Sequence, residues 1–270
     1  MKTFGRIFNG CVYFLLYAPL IIMVVFSFNS AKSTNVFAGF SLKWYKEFFN
    51  DPYIMEALGN TLILAFLSAI IATVLGTIAA VGMYKLRNRY LYGTMNMVTN
   101  IPMMNPDIIT GVAFMLLFMF VGREILGLNE VVGFVPVLIA HVTFNLPYVI
   151  LNVLPKLRQT DEHLYEAALD LGCTPIKAFF KVILPAIMPG IVSGAMMAFT
   201  LSIDDFVITS FTAGTEYNTL PILLYNQTKH AMKPDMYALA SILFIGVLVL
   251  LVLINVFQEI SDRKTKGVRK

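Results

Sequence analysis

Charge is what this sequence has least of. Asp, Glu, Lys and Arg make up only 13% of its 270 residues while 58% are hydrophobic, and the mean hydropathy is +0.75. A water-soluble fold needs far more charge to cover its surface. Cysteine is limited to two residues, which excludes a disulfide scaffold, and 17 Gly with 12 Pro exclude a collagen-like fibre. A disordered chain is excluded by the abundance of apolar side chains. Histidine occurs three times, too seldom for a His-rich centre, and no Ser/His/Asp arrangement suggests an intramembrane hydrolase. There is no Gly-rich loop ending in Gly-Lys-Ser or Gly-Lys-Thr and no soluble domain in which one would work. The chain is therefore not expected to be an enzyme by itself, and any nucleotide energy has to come from another polypeptide. Its net charge is +4, yet no basic patch with interleaved aromatics stands apart from the flanks of apolar runs, which argues against nucleic-acid binding.

What is present is a set of long apolar runs, at 7–31, 58–84, 90–122, 131–155, 182–215 and 236–258. A helix needs about 20 apolar residues to cross a hydrocarbon core of roughly 30 Å, whereas strands of a membrane barrel would alternate over about ten residues. Continuous runs of this length predict an all-α polytopic membrane protein with six transmembrane helices. The distribution of Lys and Arg sets its sidedness. With both termini cytoplasmic, 14 of the 20 basic residues fall inside, among them Lys85, Arg87, Arg89, Lys156, Arg158, Lys177 and Lys181, and six fall outside. The first run follows Lys2 and Arg6 as a secretory signal would, but its apolar core is longer than such signals carry, so it is expected to stay as an uncleaved helix. Cys11 and Cys173 then lie near or beyond the reducing cytoplasmic face, and neither is expected to form a disulfide.

Two connections stand out. In the outer loop at 28–56, Ser41 is placed to cap a short helix carrying Trp44, Tyr45, Phe48 and Phe49, which suits an anchor in the headgroup region or, as the alternative, a docking surface for an external partner. The inner connection at 156–181 is longer and more polar than a turn between bundle helices needs. Glu162, Glu166, Ala167, Ala168, Leu169 and Leu171 favour a helix, Gly172 is placed to end it, and Pro175 can open a second one. The expected result is an elbow: helix, Gly-centred turn, helix.

Glu166-Ala167-Ala168, Gly172 after them, then Val182 and the pair Leu184-Pro185 resemble the cytoplasmic signature of ABC importer permeases. Val182 departs from the usual Ile by a swap that nearly conserves volume. Three further stretches resemble the spermidine/putrescine permeases within that family: Phe40-Ser41-Leu42 with Trp44-Tyr45, Pro106 to Gly111, and Ser202 to Phe211. The resemblance implies a type I ABC importer permease fold as one domain over 1–270, with 156–181 as the coupling loop. It implies that Glu166, Ala167, Ala168, Gly172, Leu184 and Pro185 serve coupling to an ATPase, whose groove receives the loop helix. The partners it implies are a second, homologous permease subunit forming a heterodimer, two ATPase subunits holding ATP and Mg, an extracytoplasmic polyamine-binding protein, and the lipid of a bacterial cytoplasmic membrane. The chain itself would hold no cofactor or metal.

Three carboxylates interrupt the apolar runs: Asp107 in the third, Asp204 and Asp205 in the fifth. An ionised carboxylate at mid-bilayer costs roughly 2.5–3.5 kcal/mol, so each should face protein, water or a cation. No Lys or Arg lies in any of the six runs to balance them. Counter-charge must come from a partner subunit, helix N-termini, His141 or the cargo, and a polyamine's ammonium groups would supply it. Each Asp also has a structural alternative. Asp107 follows Pro106, where a broken helix can restart, and is a cap or a cargo contact. Asp204 and Asp205 point about 100° apart on a helix, so one of them faces a pathway and the other caps or accepts a hydrogen bond between subunits. Twenty-two residues, roughly 33 Å of helix, separate Val182 from Asp204, so the pair should sit toward the outer half of the bilayer unless the helix starts well below the membrane. His141, Asn145, Pro147, Pro102 and Asn105 either line a path or serve internal bonding and kinks. Gly76, Gly82, Gly190 and Gly194 are expected at close helix contacts, and Met103, Met104, Met115 and Met119 in adaptable core packing. Rival readings are the same architecture carrying another small solute, and an ion-coupled secondary carrier acting alone.

Overall fold

The apolar runs fold as helices, but the limits of those helices are set by prolines and caps rather than by the nearest charge. The computed structural model describes residues 2–31, 36–127, 131–161, 163–215, 217–229, 236–249 and 252. Glu162, Glu216, Lys32, Lys233, the C-terminal part of the sixth run and the basic residues at 263–270 lie outside them. Among the described residues the elements are α1 (Lys2–Ser27), α2 (Lys43–Asn50), α3 (Pro52–Lys85), α4 (Arg89–Met104), α5 (Asp107–Met119) and α6 (Phe134–Gln159), followed by α7 (His163–Asp170), α8 (Pro175–Ala178), α9 (Leu184–Asp204), α10 (Val207–Thr212) and α11 (Leu220–Thr228). A twelfth helix, α12, covers Met236–Val249. Extended pairing is confined, among the described residues, to an isolated bridge between Asn29 and Phe40.

Among the described residues, five continuous helical stretches are long and apolar enough to cross a membrane: Phe8–Ser27, Pro52–Lys85, Asp107–Ile125, Phe134–Gln159 and Pro175–Asp204; α12 is a shorter apolar helix. The third and fifth runs differ most from the expectation. The run at 90–122 divides at Asn105-Pro106 into α4 and α5, because proline has no N–H to continue the helical ladder. The fifth helical stretch begins at Pro175, seven residues before 182, and so takes Lys177 and Lys181 into its first turns. Its 30 residues correspond to about 45 Å of helix, longer than the hydrocarbon core. Pro185 near the start of α9 cannot donate to the carbonyl four residues back, and the backbone widens into a π-helical turn over Phe179–Ile183 just before it.

The chain forms two compact units, one of residues 1–58 and 222–253, the other of 59–221 and 254–270. In the first, the aromatic loop folds back on the end of α1. Trp44 Nε1 donates to the Asn29 carbonyl at 2.6 Å, Phe28 stacks between Phe40 and Tyr45 with ring centroids 5.1 Å away on each side, and Trp44 and Phe48 are buried. Trp44, Tyr45 and Phe48 are thus used within the protein, leaving Phe49 exposed. The cap of α2 is Leu42; Ser41, one residue earlier, accepts from the Lys43 N–H at 3.1 Å instead.

The second unit is built on α6 and α9. Val149 of α6, fully buried, sits where two glycines meet it. A Cβ at Gly76 of α3 would lie 2.7 Å from Val149 Cβ, and one at Gly194 of α9 would lie 3.1 Å from Val149 Cα. Gly190 approaches the Asn152 carbonyl in the same way, whereas Gly82 faces open space and serves no close contact. Met103, Met104 and Met119 are exposed rather than packed in the core. α4 buries no residue; Tyr92 is its side chain recorded against the core cluster, and Arg158 of α6 donates to the Tyr92 hydroxyl while lying 5.0 Å from its ring centroid.

Candidate functional site

Two regions of the second unit carry the residues singled out from sequence. The first is where the third and fifth runs break. α5 restarts at Asp107 with Pro106 as its cap, and α9 ends at Asp204, with α10 following at Val207. The two restarted helices pack together closely: a Cβ on Gly111 would come within 2.7 Å of the Phe211 ring and 3.4 Å of Ile208 Cα. Asp107 stands one turn before Gly111 and Asp204–Asp205 one turn before Ile208. The breaks therefore adjoin.

The three carboxylates meet different surroundings there. Asp107 and Asp204 are exposed. Asp205 is nearly covered, its side chain 9% exposed. Its Oδ1 accepts from the Ile208 N–H at 3.3 Å, and its Oδ2 accepts from the Thr209 N–H at 2.8 Å and the Thr209 hydroxyl at 2.6 Å. It thus satisfies the free N–H groups at the start of α10, the service an N-terminal Asp gives a helix. His141 of α6, fully buried, brings Nε2 to 2.9 Å from Thr209 Oγ1 and 3.4 Å from Asp205 Oδ2. One turn along α6, Asn145 donates to Ser202 Oγ at 2.8 Å, which meets Ser68 of α3 at 2.9 Å. His141 and Asn145 accordingly serve internal bonding. Sequence reasoning took Ser202 and Thr209 only as part of the stretch from Ser202 to Phe211 and missed Ser68; the spacing Asp205-x-x-x-Thr209 was the available signal, since a carboxylate four residues before a hydroxyl on a helix start reaches it.

The second region is the elbow. α7 ends in a Gly-centred turn: Cys173 N–H donates to Ala168 O at 3.0 Å and Gly172 N–H to Leu169 O at 2.9 Å, with Gly172 at φ 82°. This double closure requires the left-handed conformation that glycine adopts without strain. Thr174 caps α8 and Pro175 opens it. Ala168 is buried, while Ala167 is exposed beside it. Glu166 is 72% exposed, with an oxygen 3.5 Å from His163 Nδ1, and Leu164, Leu171 and Ile176 stand open around it. Leu184 and Pro185 lie at the first turn of α9, beyond the π-helical turn. Lys85, at the end of α3, lies 5.9 Å from the Tyr165 ring.

The family described as binding-protein-dependent transport system inner membrane component matches residues 72–267. The chain belongs to this family. It is a membrane component of a transport system rather than an enzyme, and a multi-pass one. The match takes in both helix breaks and the elbow. Among curated proteins, the chain is 43% identical over 229 residues to the putrescine transport system permease protein PotI of Escherichia coli (strain K12), covering 84% of this chain and 81% of that protein. It is 36% identical over 270 residues to the spermidine/putrescine transport system permease protein PotC of the same organism, covering 97% of each. Among solved structures, a chain of a bacterial ABC transporter involved in import of the acidic polysaccharide alginate aligns with TM-score 0.71 at 16% identity, over 97% of this chain and 95% of that one. A chain of the inward-facing MetNI methionine ABC transporter aligns with TM-score 0.63 at 22% identity, over 78% and 99%. These two speak to the fold, which is that of an ABC importer permease.

Proposed function

We propose that this permease component imports polyamines of the putrescine and spermidine type across a bacterial cytoplasmic membrane, driven by ATP hydrolysed on separate subunits. The observation that carries the reading is the pair of open carboxylates, Asp107 and Asp204, at adjoining helix breaks in a chain similar over most of its length to putrescine and spermidine/putrescine permeases. An alkyl diamine offers an ammonium group at each end of an apolar linker. Two carboxylates on neighbouring broken helices offer it two anionic points, and broken helices in a membrane are where transported solutes meet backbone and side chain together. Asp205, a candidate for the pathway whose alternative was a cap, serves in this proposal to hold the break that presents Asp204.

The energy enters at the elbow. Glu166 and the exposed apolar side chains Leu164, Leu171 and Ile176 form a surface that a polar loop would not leave bare unless another protein covered it. With both termini cytoplasmic, this surface faces the ATPase. Glu166 engages its groove, Ala167 and Ala168 allow close approach, Gly172 turns the chain, and Leu184 and Pro185 pass the displacement into α9, whose far end is Asp204. A second, homologous permease completes the passage as a heterodimer, an extracytoplasmic binding protein delivers the solute, and ATP with Mg stays on the two ATPase subunits. The test is uptake by the purified complete assembly in lipid vesicles, with putrescine, spermidine, a neutral amino-acid derivative, a metal chelate and a phosphonate in competition. The reading expects the two polyamines to be accumulated and to exclude the others; preferential uptake of any of the others would replace it.

A further inference from the structure

We infer that His141 is a positioning residue for transport: it fixes the Asp205 carboxylate on the start of α10, so that Asp204 alone of the adjacent pair meets the solute. The inference rests on the reading of Asp204 as a cargo contact. Its basis is the hydrogen-bond directions within the buried cluster. The Thr209 hydroxyl donates to Asp205 Oδ2 at 2.6 Å, so the bond of 2.9 Å between Thr209 Oγ1 and His141 Nε2 has the imidazole N–H as donor. The same N–H points toward Asp205 Oδ2 at 3.4 Å. His141 Nδ1 is buried with no partner; it is the ring's lone-pair nitrogen, because a proton there would be a buried donor with nothing to receive it.

α10 is short, six residues, and cannot hold its own orientation by its backbone ladder. It is held on one side by Gly111 against Ile208 and Phe211 and on the other by His141 through Thr209 and Asp205. If the second hold goes, α10 loses its tie to α6, and the Asp205 carboxylate bonded to its start turns with it toward the nearest water or cation, which here is the same break that exposes Asp204. Three carboxylates, Asp107, Asp204 and Asp205, then face one dication. The solute is held more tightly and released more slowly, and the half-saturating concentration and the maximum rate fall together. A residue that merely filled space would give a lower rate at unchanged half-saturation.

The test uses the complete assembly in lipid vesicles, with labelled putrescine as solute and binding-protein-stimulated ATP hydrolysis recorded in the same samples. His141→Gln keeps an N–H donor at similar volume; His141→Leu keeps volume without a donor. Leu is expected to lower the maximum rate about tenfold and the half-saturating concentration about threefold, while Gln stays within about twofold of the unmodified protein. Adding Asp205→Asn to His141→Leu removes the loose charge and returns the rate to within about threefold of the unmodified value. Equal behaviour of the Gln and Leu variants, or a Leu defect untouched by Asp205→Asn, overturns the inference. Should the unmodified assembly fail to import putrescine, the polyamine reading falls, and the comparison of Gln with Leu is read from ATP hydrolysis.

Discussion

Asp204 and Asp205 are chemically identical neighbours, and the end of α9 gives them different environments. At their angular separation of about 100° both cannot face the same way, and the break just after them lets one carboxylate reach forward to the N–H groups of α10 while the other remains open. Asp204→Asn is expected to weaken polyamine-stimulated ATP hydrolysis and uptake by about tenfold, a loss of the size expected for one charge-assisted contact. Hydrolysis that rises with solute as in the unmodified assembly would remove Asp204 from the cargo site. At the elbow, Gly172 has φ 82°, and a β-branched side chain there is strained by roughly 1–2 kcal/mol. Gly172→Val should raise protease cleavage within 163–183 while leaving the rest of the assembly protected; an unchanged digestion pattern would show that the turn tolerates the side chain. Gly172 was legible in the sequence because a glycine after a helix-favouring stretch and before a proline has few other uses. The difference between Asp204 and Asp205 was legible only as a choice, because which of two neighbours caps depends on where the helix stops.

Helix limits explain most of what the sequence reading missed. Runs delimited by charge anticipated five helical stretches long enough to cross a membrane and, as the sixth, the shorter α12, but charge marks where a helix meets water and not where its hydrogen bonding ends. Lys177 and Lys181 thus lie inside the fifth helical stretch, with aliphatic stems that let them reach outward from its first turns. Proline marked the division of the third run correctly, since Pro106 ends the ladder whatever surrounds it. The glycines were legible as close contacts at 76, 190 and 194 because small residues in membrane helices usually serve packing; Gly82 breaks that expectation, facing open space, as Met103 and Met104 break theirs by facing outward. Gly111 was read only as part of a stretch, and its role emerges from the neighbouring α10. Gly111→Val would press on the Phe211 ring and separate the two restarted helices, at a cost of about 1–3 kcal/mol for overpacking. A fall in the thermal midpoint of the detergent-solubilised assembly, together with reduced uptake, is expected; a variant as stable and active as the unmodified protein would show that the breaks move independently.

Under the proposed function, the second unit acts as a transmitter between an external energy source and a passage. Its elbow leaves Glu166 and several apolar side chains open at one end of the second unit, a continuous helical stretch runs from Pro175 to Asp204, and an adjoining break carries Asp107. A push on the elbow is thereby a push along the element that ends at the carboxylates. Fold and family were readable early because apolar length and the spacing of Glu166, Gly172 and Leu184-Pro185 are local properties of the chain. The partners proposed to complete a passage rest on resemblance alone, since surfaces made to be covered look alike whatever covers them. The most direct measurement is ATP-dependent accumulation of labelled putrescine in vesicles holding the complete assembly, run beside Glu166→Lys assemblies and beside this chain alone. Accumulation is predicted for the unmodified assembly only, with the Glu166→Lys assembly intact by size but inactive. Accumulation by the chain alone without ATP, or undiminished transport with Glu166→Lys, would contradict the proposal that this protein passes polyamines under the drive of another protein's ATP cycle.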